Sequence, residues 1–254
     1  MPYRYLSLDK RGPVARLALR RTDAGNAVDA ATLDDLAAAC EAIEGDDDVR
    51  AVLLTAEGAD FCLGWDETLL SGEGPPLGGH PEPFGCLAVL TRPVVCALQG
   101  RALSAGLELA LACDIRIAAE DARLGLPETN LGLLPMGGGG QRLARLVGRG
   151  NALQLILAAE PVDAAEALRI GLVSAVAPAD RLVTEAEAIT NRIAERGPLA
   201  VRYAKEAVNR GAEMTLEQAL RYETDLTIIL QTTEDRAEGV RAFLEKREPK
   251  FKGR

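Results

Sequence analysis

Two glutamates stand out by the company they keep. Glu108 sits inside Leu107-Glu108-Leu109-Ala110-Leu111-Ala112, and Glu128 ends Leu126-Pro127-Glu128 twenty residues later. A carboxylate among apolar neighbours is costly to bury unless it has a task or a partner, so Glu108 is hard to place as an ordinary surface residue. Glu128 alone fits a surface position or half of an ion pair equally well. Two loop-to-helix junctions accompany them: Phe61-Cys62-Leu63-Gly64-Trp65-Asp66, and Gly100-Arg101-Ala102-Leu103-Ser104-Ala105-Gly106. The first amides of a helix have no internal partner and carry positive potential, so such junctions can seat a developing oxyanion, although each alone also reads as a simple turn. Proton transfer beside a developing oxyanion is the chemistry these residue types allow.

Other chemistries find no support. Ala102-Leu103-Ser104-Ala105-Gly106 lies where a hydrolase nucleophile elbow would, with Ala for the first Gly, but the only histidine, His80, precedes that serine instead of following it. His80 reads as a solvated loop residue. Gly137-Gly138-Gly139-Gly140 admits no phosphate-loop pattern and reads as a tight entry into a helix starting near Gln141. The chain offers no His/Cys/carboxylate cluster with metal spacing, which leaves a mechanism without metal or cofactor.

The elements that must position these residues alternate. Val14 to Leu19, Ala51 to Thr55, Pro93 to Leu98 and Ile115 to Ala119 read as strands. Asp29 is a helix N-cap before Leu33, Leu36, Ala37, Cys40 and Ile43 at helical spacing, and a second helix runs through Leu107 to Ala112. Strand and helix alternation with apolar strands implies an α/β class whose parallel strands are covered on both faces. Beyond about Gly148 the pattern is helical, at Asn151 to Ala158, Ala164 to Ile170, Leu182 to Glu195, Leu199 to Asn209 and Leu216 to Gln231. Gly197-Pro198 punctuates it, dividing a core of residues 1–196 from a helical appendage of residues 197–254. Ser71 to Pro83, rich in Gly and Pro, reads as a surface loop.

Composition narrows the partners. A net charge of −9 argues against a nucleic-acid or anionic-membrane binder, yet residues 196–254 carry 12 Lys/Arg against 10 Asp/Glu. That basic end suits a phosphorylated ligand or serves as a solvated tail. Five scattered cysteines, odd in number, suggest neither disulfides nor zinc and point to a reducing compartment. Charged residues precede any apolar run at the N-terminus, so neither a secretory signal nor a membrane span is expected, and the expected location is cytoplasmic.

Taken together, Gly25-Asn26-Ala27-Val28, Gly58 to Asp66, Pro93 to Ile115, Leu124 to Glu128, Gly132-Leu133-Leu134-Pro135 with its following glycines, and Phe243 to Arg247 resemble the enoyl-CoA hydratase/isomerase, or crotonase, superfamily along nearly the whole chain. The resemblance implies a spiral of ββα units with a C-terminal helical trimerisation region, assembled as a homotrimer or dimer of trimers. It implies an acyl-CoA substrate, coenzyme A being part of the substrate and no separate cofactor being needed. The thioester oxygen would lie between the amides of Leu63 and Ala105. Asn26, Ala27, Gly64, Trp65 and Asp66 would line the ligand groove, with Phe243 and Lys246 at its nucleotide end.

Both acid/base positions are Glu, the hydratase pattern, so reversible syn addition of water to a 2-enoyl-CoA is the leading expectation. By resemblance Glu108 activates water and Glu128 protonates C2. A 3-enoyl to 2-enoyl isomerase, another lyase or hydrolase of the superfamily, and a catalytically idle trimeric binding protein are the alternatives. Three departures bear on substrate choice: Ser104-Ala105-Gly106 replaces a glycine triplet, Trp65 stands where a small residue is common, and Met136 replaces a glycine. The expectation is that Trp65 and Met136 reshape the acyl pocket, although both residue types also commonly fill core space.

Overall fold

The computed structural model describes residues 3–71 and 82–254. His80 and most of the Ser71 to Pro83 stretch lie outside the described residues. The strands are β1 (Leu6–Arg11), β2 (Val14–Leu19), β3 (Ala51–Ala56), β4 (Val94–Leu98), β5 (Arg101–Leu103), β6 (Ile115–Ala119), β7 (Arg123–Gly125), β8 (Val162–Asp163) and β9 (Ala175–Ala177). The helices are α1 (Ala30–Glu44), α2 (Glu67–Leu70), α3 (Gly85–Ala88), α4 (Ala105–Leu111), α5 (Gly139–Ala158), α6 (Ala164–Arg169), α7 (Leu182–Ala194), α8 (Pro198–Gly211), α9 (Leu216–Gln231) and α10 (Glu234–Glu245).

One six-stranded sheet runs in the order β1-β2-β3-β4-β6-β9, parallel throughout except for the β1-β2 hairpin. β4 is buried along its whole length and β3 along all but its last residue, as expected for parallel strands covered on both faces. α7 lies against β3 and β4 and buries Leu182, Ala186, Thr190 and Ala194, a four-residue repeat that keeps one helix face inward.

A second ladder, β5-β7-β8, is continued by bridges between Cys62 and Ala102 and between Val28 and Trp65. This ladder makes the chain spiral. Each turn contributes a strand to the large sheet, then a short segment to the small ladder, then a helix: β2, Val28, α1; β3, Cys62 to Trp65, α2; β4, β5, α4; β6, β7, then the 3-10 turn Glu128–Leu131 and α5. The ββα winding is therefore visible residue by residue, and it stacks the two candidate junctions in neighbouring turns.

Local chemistry sets the element ends. The Asp29 side chain accepts the Thr32 N–H at 2.7 Å and starts α1. Gly100, at φ 53°, reverses the chain between β4 and β5, and a Cβ there would stand 2.2 Å from the Ala59 carbonyl oxygen. Gly197 and Pro198 open α8 as the N-cap and first-turn residues.

β1, β5, β7, β8, β9, α2, α3 and α10 are additions to the elements expected from sequence. Four of these strands have three residues or fewer, too short to show a period. β1 is an edge strand bearing Ser7, Asp9 and Lys10. α5 opens on glycines two residues before the expected Gln141, and across a break at Gly148, φ 79° and ψ 158°, it joins the expected Asn151 to Ala158 segment.

After α7 the chain is helical. Lys205 on α8 pairs with Asp114 at 2.7 Å, tying α8 to the residue just before β6. The tail folds back: the Asp235 carboxylate accepts the backbone N–H groups of Lys252 and Gly253 at 2.6 and 2.8 Å, and Arg50 donates to the Phe251 carbonyl at 3.0 Å. α8, α9 and α10 expose Val208, Leu216, Leu220, Ile228, Phe243 and Leu244. Among the described residues no helix is long and apolar enough to cross a membrane.

Candidate active site

α4 is buried at every one of its seven residues, Glu108 included, whose relative exposure is 0%. Its carboxylate is seated on the glycine run: the Gly137 and Gly139 backbone N–H groups donate to Glu108 Oε1 at 2.6 and 2.9 Å. A Cβ on either glycine would come within 2.9 Å of a Glu108 carboxylate oxygen. The run therefore does open a helix, at Gly139, but it also provides the seat of Glu108. The sequence signal for this was the glycine cluster itself, which names no partner.

Glu108 Oε2 is buried and has no partner among the described residues. Burial, the largest influence, raises the Glu108 pKa to about 7, and the Glu128 charge acts in the same direction. The Gly139 and Gly137 amides and the nearby Trp65 indole oppose that rise by favouring the charged form.

Glu128 begins the 3-10 turn after β7 and is also buried, with neither oxygen bonded among the described residues. Burial raises its pKa, against the Ser104 hydroxyl and its own backbone N–H. The site thus holds two buried carboxyls that resist ionisation, one oxygen of Glu108 and both of Glu128 having no hydrogen-bond partner among the described residues. Such a pair can divide acid and base roles.

The two junctions differ from expectation in one respect. The Leu63 N–H, expected as the first oxyanion donor, donates to the Gly25 carbonyl at 3.0 Å and is already used. In the parallel bridge to Val28, the Gly64 carbonyl accepts the Val28 N–H and the Asp66 N–H donates to the Val28 carbonyl. The N–H of Trp65 between them faces the other way, with no acceptor among the described residues. The Ala105 N–H, first in α4, is likewise unbonded. The amides of Trp65 and Ala105 are thus among those the two junctions leave without an acceptor among the described residues.

The junctions also press on each other. A Cβ on Gly106 would stand 2.5 Å from the Cys62 carbonyl oxygen, and one on Gly64 (φ 134°) 2.9 Å from the Ser104 Cβ. Ser104, ahead of α4, takes φ 52° and ψ −124°, a conformation costly for any residue with a side chain.

The remaining expected site residues divide. Asn26 is buried and donates to the Glu57 and Asp60 carbonyls at 2.9 and 3.1 Å, which fixes the loop before Phe61. Ala27 accepts from Arg21 at 3.0 Å, and Asp66 caps α2 and pairs with Arg21 at 2.8 Å. Met136 packs half-buried against the core. Trp65 is buried and stacks on Phe84 with centroids 5.6 Å apart. Phe84 was missed in the sequence, since it follows the Gly- and Pro-rich stretch and belongs to no periodic pattern. Phe243 is exposed on α10 and Lys246 caps that helix, and neither is hydrogen-bonded or paired to the Asn26 to Asp66 segment among the described residues.

A family model described as enoyl-CoA hydratase/isomerase matches residues 9–254. The chain belongs to the enoyl-CoA hydratase/isomerase family. A short-chain-enoyl-CoA hydratase of Clostridium acetobutylicum is 41% identical over 247 residues, 94% of each chain. A crotonyl-CoA hydratase of Syntrophomonas wolfei is 38% identical over 99% of each. The crystal structure of an enoyl-CoA hydratase from Bacillus anthracis superposes with a TM-score of 0.95 at 38% identity, covering 99% of this chain and all of the other. The mixed α/β architecture is that of the enoyl-CoA hydratase/isomerase family, and its two buried glutamates sit in neighbouring turns of the shared spiral.

Proposed function

We propose that the protein is an enoyl-CoA hydratase, adding water reversibly and with syn geometry to the double bond of a 2-enoyl-CoA. The observation that carries this is the pair of buried, incompletely bonded carboxyls of Glu108 and Glu128. A single acid/base group would suffice to shift a double bond, whereas hydration handles a proton at water and another at C2. Glu108, fixed by two amides, takes the proton from water, and Glu128 delivers one to C2. The thioester oxygen gains charge between the amides of Trp65 and Ala105, and each such donor in a dry site contributes a few kcal/mol, ~3 by analogy with other oxyanion donors. The chemistry draws only on the thioester and these side chains.

The groove for the coenzyme A portion is proposed along Ala27, Gly64 and Asp66, with Asn26 holding its wall. Trp65 and Met136 shape the acyl end. Phe243 and Lys246 complete the nucleotide end from a neighbouring subunit, Lys246 facing phosphate. The helices of residues 197–254 would assemble a homotrimer or dimer of trimers, which would bury the apolar residues they expose. A cytoplasmic location is proposed with this, given five free cysteines.

The test is turnover of crotonyl-CoA, followed as loss of the conjugated enone absorbance, with Glu108→Gln and Glu128→Gln as controls. Loss of absorbance by the wild type that both variants abolish supports the reading. Absence of turnover on 2-enoyl-CoA substrates from short to long chain overturns it, and double-bond migration that survives Glu108→Gln reassigns the protein as an isomerase.

A further inference from the structure

Among the described residues, the Trp65 indole is a buried donor of the site that the reaction scheme leaves unused. Trp65 is 5% exposed, and its Nε1–H has no partner among those residues. The site's orphan acceptors include Glu108 Oε2 and both oxygens of Glu128, and of these two carboxyls it is that of Glu108 whose charged form the indole favours. Geometry puts them in one pocket: the indole stacks on Phe84 at 5.6 Å, and one point next to Gly137 lies 2.6 Å from the Phe84 ring edge and 2.9 Å from Glu108 Oε2. Two unmade hydrogen-bonding groups of opposite kind, each buried at a cost, stabilise the site if they serve each other.

We propose that the Trp65 indole N–H is a positioning donor for Glu108, holding Oε2 in the charged, water-activating state while the Gly137 and Gly139 amides hold Oε1. An indole N–H only donates. It therefore favours the carboxylate over the carboxylic acid and fixes which oxygen faces the reacting water. Phe84 sets the indole plane by stacking. This gives the bulky residue at position 65 two tasks: its main chain presents an amide to the thioester and its side chain orients the base.

Other ionisable groups around the pair come from every neighbouring element. Glu128 faces Glu108 from the 3-10 turn, and Arg142 of α5 donates to the Gly137 carbonyl at 2.9 Å while paired to Glu82. Asp66 and Arg21 pair beyond Trp65. The Cys62 thiol is pushed up to about 12 by burial. Burial raises Glu108 to about 7 and shifts Glu128 in the same direction, so the ionisation of Glu108 falls in the range where the indole can report it.

Trp65 is the only tryptophan in the chain, so its emission reports on this pair without any substrate. The first experiment titrates intrinsic fluorescence of the wild type between about pH 5 and 9. The expected result is one step near the Glu108 value of about 7, absent in Glu108→Gln and moved to lower pH in Glu128→Gln. A step that persists in Glu108→Gln, or a flat wild-type curve, overturns the proposal. The second experiment rests on the hydratase reading: Trp65→Phe keeps the stack and the main-chain amide and deletes only the N–H. Its kcat/KM profile should move its acidic limb to higher pH by about one unit, the size expected for losing one hydrogen bond to a charged group. An unmoved limb overturns the proposal. Because the fluorescence arm needs no turnover, failure of the hydratase reading and failure of this inference give different results.

Discussion

The two seats that hold the carboxyls of Glu108 and Glu128 are built on opposite principles. Glu108 stands on a helix buried at every residue and is bolted at one oxygen by two backbone amides. Glu128 opens a four-residue 3-10 turn with both oxygens unbonded among the described residues, and that turn ends at the exposed Leu131. A base that must hold water needs a fixed oxygen, whereas an acid that must deliver a proton to carbon and recover it tolerates freedom. The fixed seat is also where ionisation is opposed by burial and by the neighbouring charge together.

The largest effect tests the roles directly. Glu108→Gln and Glu128→Gln should each lower kcat by about 10²- to 10⁴-fold, the usual worth of a positioned acid/base group. The carboxamide oxygen introduced by Glu108→Gln can still accept both backbone N–H groups, so the KM of that variant should stay within a few-fold. A Glu128→Gln enzyme with full kcat would break the comparison by removing the second carboxyl from the reaction.

Next in size is a stability effect at the fixed seat. The Glu108 pKa rises from 4.5 to about 7 on folding, so the folded state binds the proton more tightly than the unfolded chain. Stability should therefore fall as pH climbs from about 4.5 to 7. At about 1.4 kcal/mol per unit the cost of the buried charge above pH 7 is about 3 kcal/mol. Glu108→Gln, which carries no charge, should unfold at higher temperature than the wild type at pH 8, and the gap should close at pH 5. A gap independent of pH would show that the seat does not oppose ionisation.

The seat itself can be damaged one atom at a time. Gly137→Ala places a Cβ 2.6 Å from the Phe84 ring and 2.9 Å from Glu108 Oε2, and should destabilise the protein by about 1–3 kcal/mol while lowering kcat. Gly140→Ala, where a Cβ meets open space in the first turn of α5, should be neutral or slightly stabilising. Equal loss from both in chemical denaturation would mean that the glycines serve the helix entry alone.

How far these seats were legible in the sequence follows from the range of the interactions. Asp29 as a cap and β2, β3, β4 and β6 as buried strands were readable because the signal is local: an acidic side chain three residues from the amide it binds, or an apolar run. Glu108 was readable because its neighbours are apolar. The Gly137 and Gly139 amides were not, since a backbone donor 29 residues away leaves no side-chain trace. The bond from the Leu63 N–H to the Gly25 carbonyl was not legible for the same reason. Which amide of Leu63 to Trp65 is free depends on the bridge to Val28 and the bond to Gly25, long-range pairings that no pattern within Phe61 to Asp66 encodes.

The smallest effect concerns the loose seat. Ser104 has φ 52° and ψ −124°, a geometry that costs a residue with a Cβ on the order of 1–3 kcal/mol, and its hydroxyl favours the charged form of Glu128. Ser104→Gly relieves the first and removes the second. Glycine also gives back some of the gain through the larger freedom of the unfolded chain, about 0.5–1 kcal/mol, so the net stability change should stay near about 1 kcal/mol or less. The diagnostic change is in the pH profile. Without the hydroxyl, the pKa of Glu128 rises further, so the acid stays protonated to higher pH and the alkaline limb of kcat/KM moves upward. The acidic limb, set by Glu108 and its amides, should stay in place. Movement of both limbs together would mean that the two carboxyls titrate as one unit and that the fixed and loose seats are not independent.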